Sequence, residues 1–356
     1  MLCRGISRRA AAAASPGVRA FGATATLGQS KSPSMGDINP SPASVESFNT
    51  KQKAFREQLA EAQREQGARA LAAQKSSSGA SSSELSGTGS WQKAAGISAQ
   101  TKQKEPDRKS GPLTNLIYGT KEGREMEAQI QASFSQVLAR GKYVHSIVTH
   151  EVKNDRVDDY VKLIGQWYPR IANAPENKVH LVGSWRTEIG DCDTFVHIWE
   201  YQKYAGYHES RYSITHHPDF ADMDNKLKSM IKSKHISLMQ EFSFWPTTPP
   251  RQLGGVFELR SYTLHPGNLL EWETHWRRGL TARREVMEGV GAWFVQIGDL
   301  NTVHHLWQFA NLEERRERRE KSWSVEGWSD TVHKTVPLIQ TMKSRIMIAM
   351  PWSPVA

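Results

Sequence analysis

A duplication is the feature of this sequence that most constrains its fold. The segments LVGSWRTEIGD and TFVHIW, which lie at 181–191 and 194–199, return as GAWFVQIGD and TVHHLW at 291–299 and 302–307. Eight identical residues share one offset of 108 positions. They are Gly183/Gly291, Trp185/Trp293, Ile189/Ile297, Gly190/Gly298, Asp191/Asp299, Thr194/Thr302, His197/His305 and Trp199/Trp307. Chance does not place eight identities in one register, so the chain contains two copies of one folding unit.

Each copy is predicted to have the order βαββαβ, because short apolar alternations flank one long and one interrupted helical stretch. Gly-Asp between alternating apolar residues predicts the central hairpin of each copy. The predicted strands are 143–152, 179–189, 194–201 and 235–244 in the first copy, and 256–264, 291–298, 301–309 and 342–350 in the second. This order is that of a ferredoxin-like α+β unit. We therefore expect two tandem ferredoxin-like units, at 142–246 and 254–353.

The hairpin strands indicate how the two units pack. One face of each carries the aromatic set that includes His197 and Trp199, or His305 and Trp307, and the other face is still apolar. Helices cover only one face of a ferredoxin-like sheet, so the other face needs a second sheet. The sequence therefore predicts a barrel-type double sheet made by the two copies, with an interior lined partly by His and Trp.

The basic charge of the chain lies outside the predicted fold. Residues 1–141 contain 19 Lys and Arg against 11 Asp and Glu, and they carry +8 of the net charge of +9. The remaining residues are nearly neutral and hold eleven of the twelve Trp. This distribution argues against a nucleic-acid-binding fold. Two Cys exclude a disulfide scaffold and a four-thiolate zinc site, and no apolar run is long enough to span a bilayer.

The N-terminal third is predicted to be an address followed by a linker. Residues 1–31 contain five Arg and Lys, and the first acidic residue is Asp37, which is typical of a mitochondrial presequence. Residues 32–112 are predicted to be a disordered Ser/Gly-rich linker, with a solvated helix at 51–74. Residues 113–141 are predicted to form a helical lead-in to the fold.

Several motifs of the repeats resemble those of the NipSnap family. They are LVGSW at 181–185, EFSFW at 241–245, ELRSYTLHPG at 258–267, LEWETHW at 270–276 and SRIMI at 344–348. The resemblance implies two tandem NipSnap domains with the dimeric α+β barrel fold. It also implies a location in the mitochondrial matrix and a link to mitochondrial quality control (mitophagy) or vesicular transport. It transfers no catalytic residue.

One group of residues is a candidate ligand site. Glu258, Arg260 and Tyr262 alternate on one strand face, and their counterparts by pattern are Ser146, Val148 and His150. A charged triplet found in one copy only is what an acquired pocket looks like. The candidates are therefore Glu258, Arg260, Tyr262, His305 and Trp307, with Arg260 able to hold a carboxylate. The alternative is a structural Glu258–Arg260 ion pair beside a packed Tyr262.

No known catalytic motif is present, so we expect a non-enzymatic binding or scaffold protein that forms a homo-oligomer and meets protein partners in mitochondria. It is expected to bind no nucleic acid and not to cross a membrane, although peripheral membrane contact is allowed. The alternative is a small-molecule- or haem-binding, oxygenase-like enzyme that uses the barrel interior. Apart from the haem of this alternative, no cofactor is expected. No metal site is expected, because His304 and His305 point to opposite faces of one strand.

Overall fold

A computed structural model describes residues 32–78 and 143–356 of the chain. The strands are β1 (Tyr143–Val152), β2 (Val179–Ile189), β3 (Thr194–Gln202), β4 (Ile231–Glu241), β5 (Val256–Leu264), β6 (Glu288–Ile297), β7 (Thr302–Phe309) and β8 (Ile339–Ala349). The helices are α1 (Pro42–Ser78), α2 (Val157–Asn173), α3 (Lys203–Thr215), α4 (Phe220–Met230), α5 (Leu269–Val286), α6 (Leu312–Ser322) and α7 (Trp328–Thr335). The predicted presequence, the rest of the linker after residue 78 and the predicted lead-in at 113–141 lie outside the described residues.

The eight strands form one closed antiparallel barrel in the order β1-β3-β2-β8-β5-β7-β6-β4. Each copy contributes a four-stranded sheet in the order 4-1-3-2, as a ferredoxin-like unit does. The two sheets join edge to edge where β2 pairs with β8 and where β4 pairs with β6. The predicted α+β class, the two repeats and the barrel are thus confirmed. Closure leaves neither sheet with an unpaired edge strand.

The last strand of each copy begins earlier than predicted. β4 starts at Ile231 and β8 at Ile339, whereas the predicted starts were 235 and 342. The reason is the length of β1 and β5, the first strand of each copy. Their last residues, Val152 and Leu264, pair with Ile231 and Ile339. The first residues of β4 and β8 are mostly polar, so a hydrophobicity pattern did not assign them to strands.

The hairpin turns of the two copies fasten the barrel in a reciprocal way. Asp191, in the turn of the first copy, pairs with Arg345 of β8 at 2.8 Å. Asp299, in the corresponding turn of the second copy, pairs with His235 of β4 at 3.0 Å. Each turn therefore holds the last strand of the other copy. The glycines before these aspartates have φ of +118° and +113°, a conformation that glycine adopts without strain.

The barrel interior is filled by apolar side chains of both copies. They include Ile147, Val196, Ile198, Phe257, Leu259, Val290, Leu306 and Met347, together with Trp185 and Trp293. Two further cores lie outside the barrel, one beneath α2–α4 and one beneath α5–α7. The interior is therefore a packed core and not a ligand chamber.

The duplicated Gly-x-Trp motif has a packing role inside this core. A Cβ added at Gly183 would lie 2.3 Å from the ring of Trp185, and one at Gly291 would lie 2.5 Å from the ring of Trp293. Each indole therefore folds back over the glycine two residues before it. Since any larger residue would collide with the ring, the glycine and the tryptophan recur together.

The N-terminal segment differs from the linker prediction. The helix begins at Pro42, nine residues before the predicted start, and Phe48 is buried against Leu253 and Ala310. Arg56 of α1 pairs with Glu288 at 2.6 Å. Residues 32–56 are thus not a solvated linker, because Phe48 packs against apolar residues and Arg56 pairs with an acidic residue of the second copy. Over residues 32–78 and 143–356, no helix has both the length and the apolarity needed to cross a bilayer.

Candidate functional site

The predicted site residues lie together, but not in the barrel interior. Trp307 belongs to the core beneath α5, whereas its strand neighbour Leu306 belongs to the interior core. Glu258 pairs across the sheet with Trp307, and Arg260 pairs with His305, so these side chains share the outer face. The expectation of a site that uses the barrel interior is therefore wrong. Helices of the second copy cover this face, and the interior receives the alternate residues of each strand.

Glu258 is the centre of the group and is fully buried. Its carboxylate accepts a hydrogen bond from Arg260 Nη1 at 2.7 Å and one from Ser344 Oγ at 2.7 Å. Arg315, on the facing side of α6, donates from Nε at 2.9 Å and from Nη2 at 2.7 Å. Tyr262 Oη accepts from Arg260 Nε at 2.6 Å. Glu258 and Arg260 thus form the ion pair that the sequence allowed, enlarged by a second arginine.

The electrostatics of Glu258 follow from these contacts. Burial opposes ionisation, but the hydrogen bond from Arg315 and the charges of Arg260 and Arg315 outweigh burial and lower the pKa to about 2. The carboxylate is therefore ionised at neutral pH. It serves as an acceptor for guanidinium groups and is not available as a general acid.

Two more arginines approach the same place. Arg283 of α5 is buried, lies 3.8 Å from the ring centroid of Trp328, and donates to Met287 Sδ at 2.8 Å. Burial, followed by the charges of Arg319 and Arg260, lowers the pKa of Arg283 to about 9. Burial lowers the pKa of Arg319, and Arg260 lowers it further. We call Arg260, Arg283, Arg315 and Arg319 the arginine cluster.

His305 is enclosed by aromatic rings and does not suit a haem. It is 4% exposed, and its Nδ1 accepts from Trp307 Nε1 at 2.7 Å. The rings of Tyr262 and Trp276 lie 4.9 Å and 5.0 Å away, centroid to centroid. Burial, with Arg260 nearby, lowers the pKa of His305 well below its usual value. The imidazole is therefore neutral, and its neighbours leave no space for a macrocycle.

The same place in the first copy holds a cavity. The cavity has a volume of about 100 Å³ and lies between the outer sheet face and α2–α4. Aliphatic and aromatic side chains make up most of its wall, and charged side chains also reach it. The aromatic members are Trp167, Tyr168, Trp199, Tyr201, Tyr207 and Phe220, and the charged members are Arg211, Asp224 and Lys234.

Strand register and helix spacing show that the cavity and the arginine cluster are equivalent. Ser146 pairs with Trp199 as Glu258 pairs with Trp307, and Val148 pairs with His197 as Arg260 pairs with His305. Six buried positions of α2 recur in α5 at an offset of 112, for example 160 and 272. The equivalent pairs are Ser146/Glu258, Val148/Arg260, Ile171/Arg283, Tyr207/Arg315 and Arg211/Arg319, and all five first-copy members line the cavity. Charged side chains thus stand in the second copy where the first copy has a cavity.

A chain of buried hydrogen bonds runs beside the cavity. Tyr160 Oη lies 2.8 Å from His150 Nδ1 and 2.8 Å from His197 Nε2, and His197 Nδ1 lies 2.9 Å from Ser184 Oγ. Burial, followed by the charge of Lys234, lowers the pKa of His150 to about 3, and burial also lowers that of His197 well below its usual value. Both imidazoles are therefore neutral and held by buried partners.

Sequence reasoning missed most of the arginine cluster. Arg315 and Arg319 lie in EERRERREK at 313–321, which has the composition of a solvated helix face. Arg283 is one of two adjacent arginines near the end of α5. A signal was available in the repeat itself, because Tyr207 and Arg315 share the offset of 108 that aligns the hairpins. Aligning the helices by that offset would have placed Arg315 opposite Glu258.

Comparison with known proteins gives consistent matches. The sequence profile of the NIPSNAP family matches residues 145–246 and 257–354. Over 212 residues the chain is 39% identical to "Protein NipSnap homolog 1" of Danio rerio, covering 59% of this chain and 76% of that protein. Over 212 residues it is 37% identical to "Protein NipSnap homolog 2" of Homo sapiens, covering 59% and 74%.

Among solved structures, a putative monooxygenase from Lactobacillus acidophilus aligns with 58% of this chain and 94% of its own, at 9% identity and a TM-score of 0.45. A likeness of that degree carries no argument about activity.

Proposed function

The chain belongs to the NIPSNAP family, and from that premise we propose that it is a binding protein that holds a small molecule in the cavity of its first repeat. The observation that carries this proposal is the contrast between the repeats. Two equivalent places beneath the helices have diverged, and the first is left open with a wall that is mostly apolar. A packed protein interior rarely keeps such a space, because an unfilled void forfeits contacts.

The chemistry of the wall indicates the kind of ligand. A cavity of 150 Å³ lined by apolar residues holds a benzene molecule, so about 100 Å³ suits a short branched alkyl group or part of a ring. Asp224 already pairs with Lys228 at 2.6 Å. Within the part of the chain that the structure describes, Arg211 and Lys234 have no acidic partner within 4 Å. We infer a short apolar body with a negatively charged end towards these two cations.

A role without catalysis is consistent with the groups beside the cavity. His150, Tyr160 and His197 are buried and bonded to one another, and burial raises the pKa of Tyr160 well above its usual value. A general base needs a pKa near the working pH and reach to the substrate proton. Neutral, mutually bonded groups of this kind favour a structural role, so we propose binding without turnover.

Native mass spectrometry against denaturing mass spectrometry, on protein purified from its own cells, tests the proposal. We expect a stoichiometric mass difference that disappears in Val148→Phe, since the larger side chain fills the cavity. Val336→Phe, made at a half-exposed position of the second repeat, is the matched control and should retain the mass. A wild-type protein without any bound mass, or equal retention in both variants, would overturn the proposal.

A second candidate role, as a scaffold for mitochondrial quality control (mitophagy) or vesicular transport, is favoured by the N-terminal segment. The side chains described between Glu57 and Glu65 are mostly exposed, so this part of α1 is available to a partner. The arginines of residues 1–31 support import into mitochondria. A fluorescent protein fused to residues 1–31 should reach mitochondria, and the same fusion with its four arginines changed to glutamine should stay outside. Equal distribution of both fusions would contradict the mitochondrial location.

The scaffold candidate also predicts a homo-oligomer that captures proteins through α1. Crosslinking in isolated mitochondria should recover partners with the intact chain and lose them when Glu57, Glu61 and Arg64 are changed to alanine. Recovery of the same partners by this variant, or a monomer in sedimentation, would contradict the scaffold role. Neither result depends on the cavity.

A further inference from the structure

We propose that the arginine cluster of the second repeat binds a multiply charged oxyanion of the phosphate type. Arg260 and Arg315 bind the carboxylate of Glu258, and Arg283 and Arg319 hold positions whose first-repeat equivalents, Ile171 and Arg211, line the same cavity. Four guanidinium groups thus share one place with one carboxylate, which leaves three positive charges in excess. The proposal concerns the second repeat only, and it does not depend on the ligand of the first.

Three other acidic residues of α6, Glu313, Glu314 and Glu320, bind other arginines. Glu314 pairs with Arg318 at 3.1 Å, and it also accepts from the backbone N–H of Ala310. Glu313 and Glu320 both bind Arg316 on the exposed side of the helix. These carboxylates thus have other partners. The charge of Glu258 acts on Arg283 in the direction that raises its pKa.

Donors remain available in the arginine cluster. Arg283 lies over the ring of Trp328, and its one hydrogen bond to protein in the described part of the chain goes to the sulfur of Met287, a weak acceptor. In the same part of the chain, Arg319 has no acidic partner within 4 Å and is half-buried. A guanidinium carries five N–H donors in a planar fork that matches a phosphate oxygen pair.

The environment makes a bound anion favourable. Like charges brought together away from water repel one another strongly, because the effective dielectric constant there is well below that of water. Burial of Arg283 and the proximity of Arg319 and Arg260 both lower the pKa of Arg283, which is the expected sign of this repulsion. An anion with two or more charges would remove the repulsion and use the free donors. A monocarboxylate offers one charge and is the poorer match.

The first repeat shows that the cluster is not required by the fold. Three of its four positions are held there by Val148, Ile171 and Tyr207, and the same helices and strands still form. Arg260, Arg283 and Arg315 are therefore specific to the second repeat, whereas Arg319 has its equivalent in Arg211. Partial exposure of the side chains of Arg260 and Arg315, at 16% and 25%, leaves a route for an ion from solvent.

Isothermal titration of the full chain with inorganic phosphate, in a buffer with 150 mM sodium chloride, tests the proposal. We expect saturable binding that is weakened about tenfold or more in Arg319→Gln, the loss expected for one charge-assisted contact. Arg316→Gln is the matched control, since Arg316 lies on the same helix but faces solvent and binds Glu313 and Glu320. It should bind phosphate as wild type does. Acetate should bind at least about tenfold more weakly than phosphate, because it carries one charge.

Absence of phosphate binding to the wild type would overturn the proposal, and so would equal weakening by the two substitutions or equal affinity for acetate. Circular dichroism shows whether Arg319→Gln remains folded. If it does not, Arg283→Ile, which restores the residue type of the first repeat, takes its place with the same expected loss. Phosphate binding should persist in Val148→Phe, so failure of the cavity proposal and failure of this one are distinguishable.

Discussion

Arg315 of α6 grips the carboxylate of Glu258 on β5 with two hydrogen bonds, at 2.9 Å and 2.7 Å. The contact is bidentate and joins a helix to the centre of the sheet face that it covers. Residues 57 positions apart are thereby held in one geometry. The first repeat has Tyr207 and Ser146 at these positions, and there both side chains line the cavity.

Glu258 should make the stability of the protein depend on pH at the acid end. Its pKa is lowered from 4.5 to about 2, so the folded state gains stability above pH 4.5 and loses that gain as the pH falls towards 2. The shift corresponds to about 3 kcal/mol at neutral pH. Glu258→Gln should therefore lower the free energy of unfolding at pH 7 by about 3 kcal/mol or more, and by much less at pH 3, in urea titrations. Glu313→Gln, fully exposed on α6, is the control and should behave as wild type at both values.

The buried histidines should produce a second acid transition at higher pH. Burial, first among the causes in each case, lowers the pKa of His150 to about 3 and of His304 to about 4. Below pH 6.5 these histidines bind protons in the unfolded chain but not in the folded chain, so stability should fall as the pH drops from 6.5 to 4. His150→Asn should reduce the slope of this fall by about 1.4 kcal/mol per pH unit. An unchanged slope would contradict the assignment, and the exposed His208→Asn should leave the slope as in wild type.

The glycine of the Gly-x-Trp motif should not tolerate a methyl group. In Gly291→Ala the new Cβ would meet the buried ring of Trp293, so we expect a loss of about 1–3 kcal/mol in the free energy of unfolding. Gly206→Ala is a control of opposite sign. Its Cβ would meet nothing nearer than 3.5 Å inside α3, and alanine favours a helix by up to about 1 kcal/mol. Thermal unfolding by circular dichroism compares the two, and equal melting temperatures would contradict the packing role.

The packing of Phe48 against Leu253 and Ala310 should determine whether α1 stays bound to the barrel. Phe48→Ala removes the buried ring between Leu253 and Ala310, so α1 should become accessible to protease and exchange its amide hydrogens faster. The barrel should keep its melting temperature, because the interior core contains no residue of α1. Glu57→Ala, on the exposed side of the same helix, is the control. Slow exchange of α1 in Phe48→Ala would show that the contact of Arg56 with Glu288 is sufficient.

The barrel could be predicted because the repeat carried the information. Two sheets with an apolar second face must cover each other, and the duplicated Trp185 and Trp293 lie in that shared interior. The face of His305 and Trp307 was assigned wrongly, since both faces of β7 are buried and alternation alone does not tell which one the helices cover. A strand buried on both sides gives a pattern with no polar face to decide the orientation.

The site was predicted where its residues alternate along β5 or β7. Glu258, Arg260 and Tyr262 alternate along β5 and could be grouped by sequence. Arg315 and Ser344 come from elements that follow later in the chain, and their arrival at Glu258 depends on tertiary packing. The cavity could not be predicted from the sequence, because it is the space that side chains such as Val148 and Tyr207 leave unfilled.

Closure of the barrel within one chain has a consequence for how its two sites can change. In a barrel assembled from two identical chains, every substitution enters both halves at once, and a residue must suit both places. Here the two halves are separate segments of one polypeptide, and they join where β2 pairs with β8 and β4 pairs with β6. One half is free to gather charge while the other keeps a cavity with an apolar wall, so the two places can diverge without any change in the barrel that joins them.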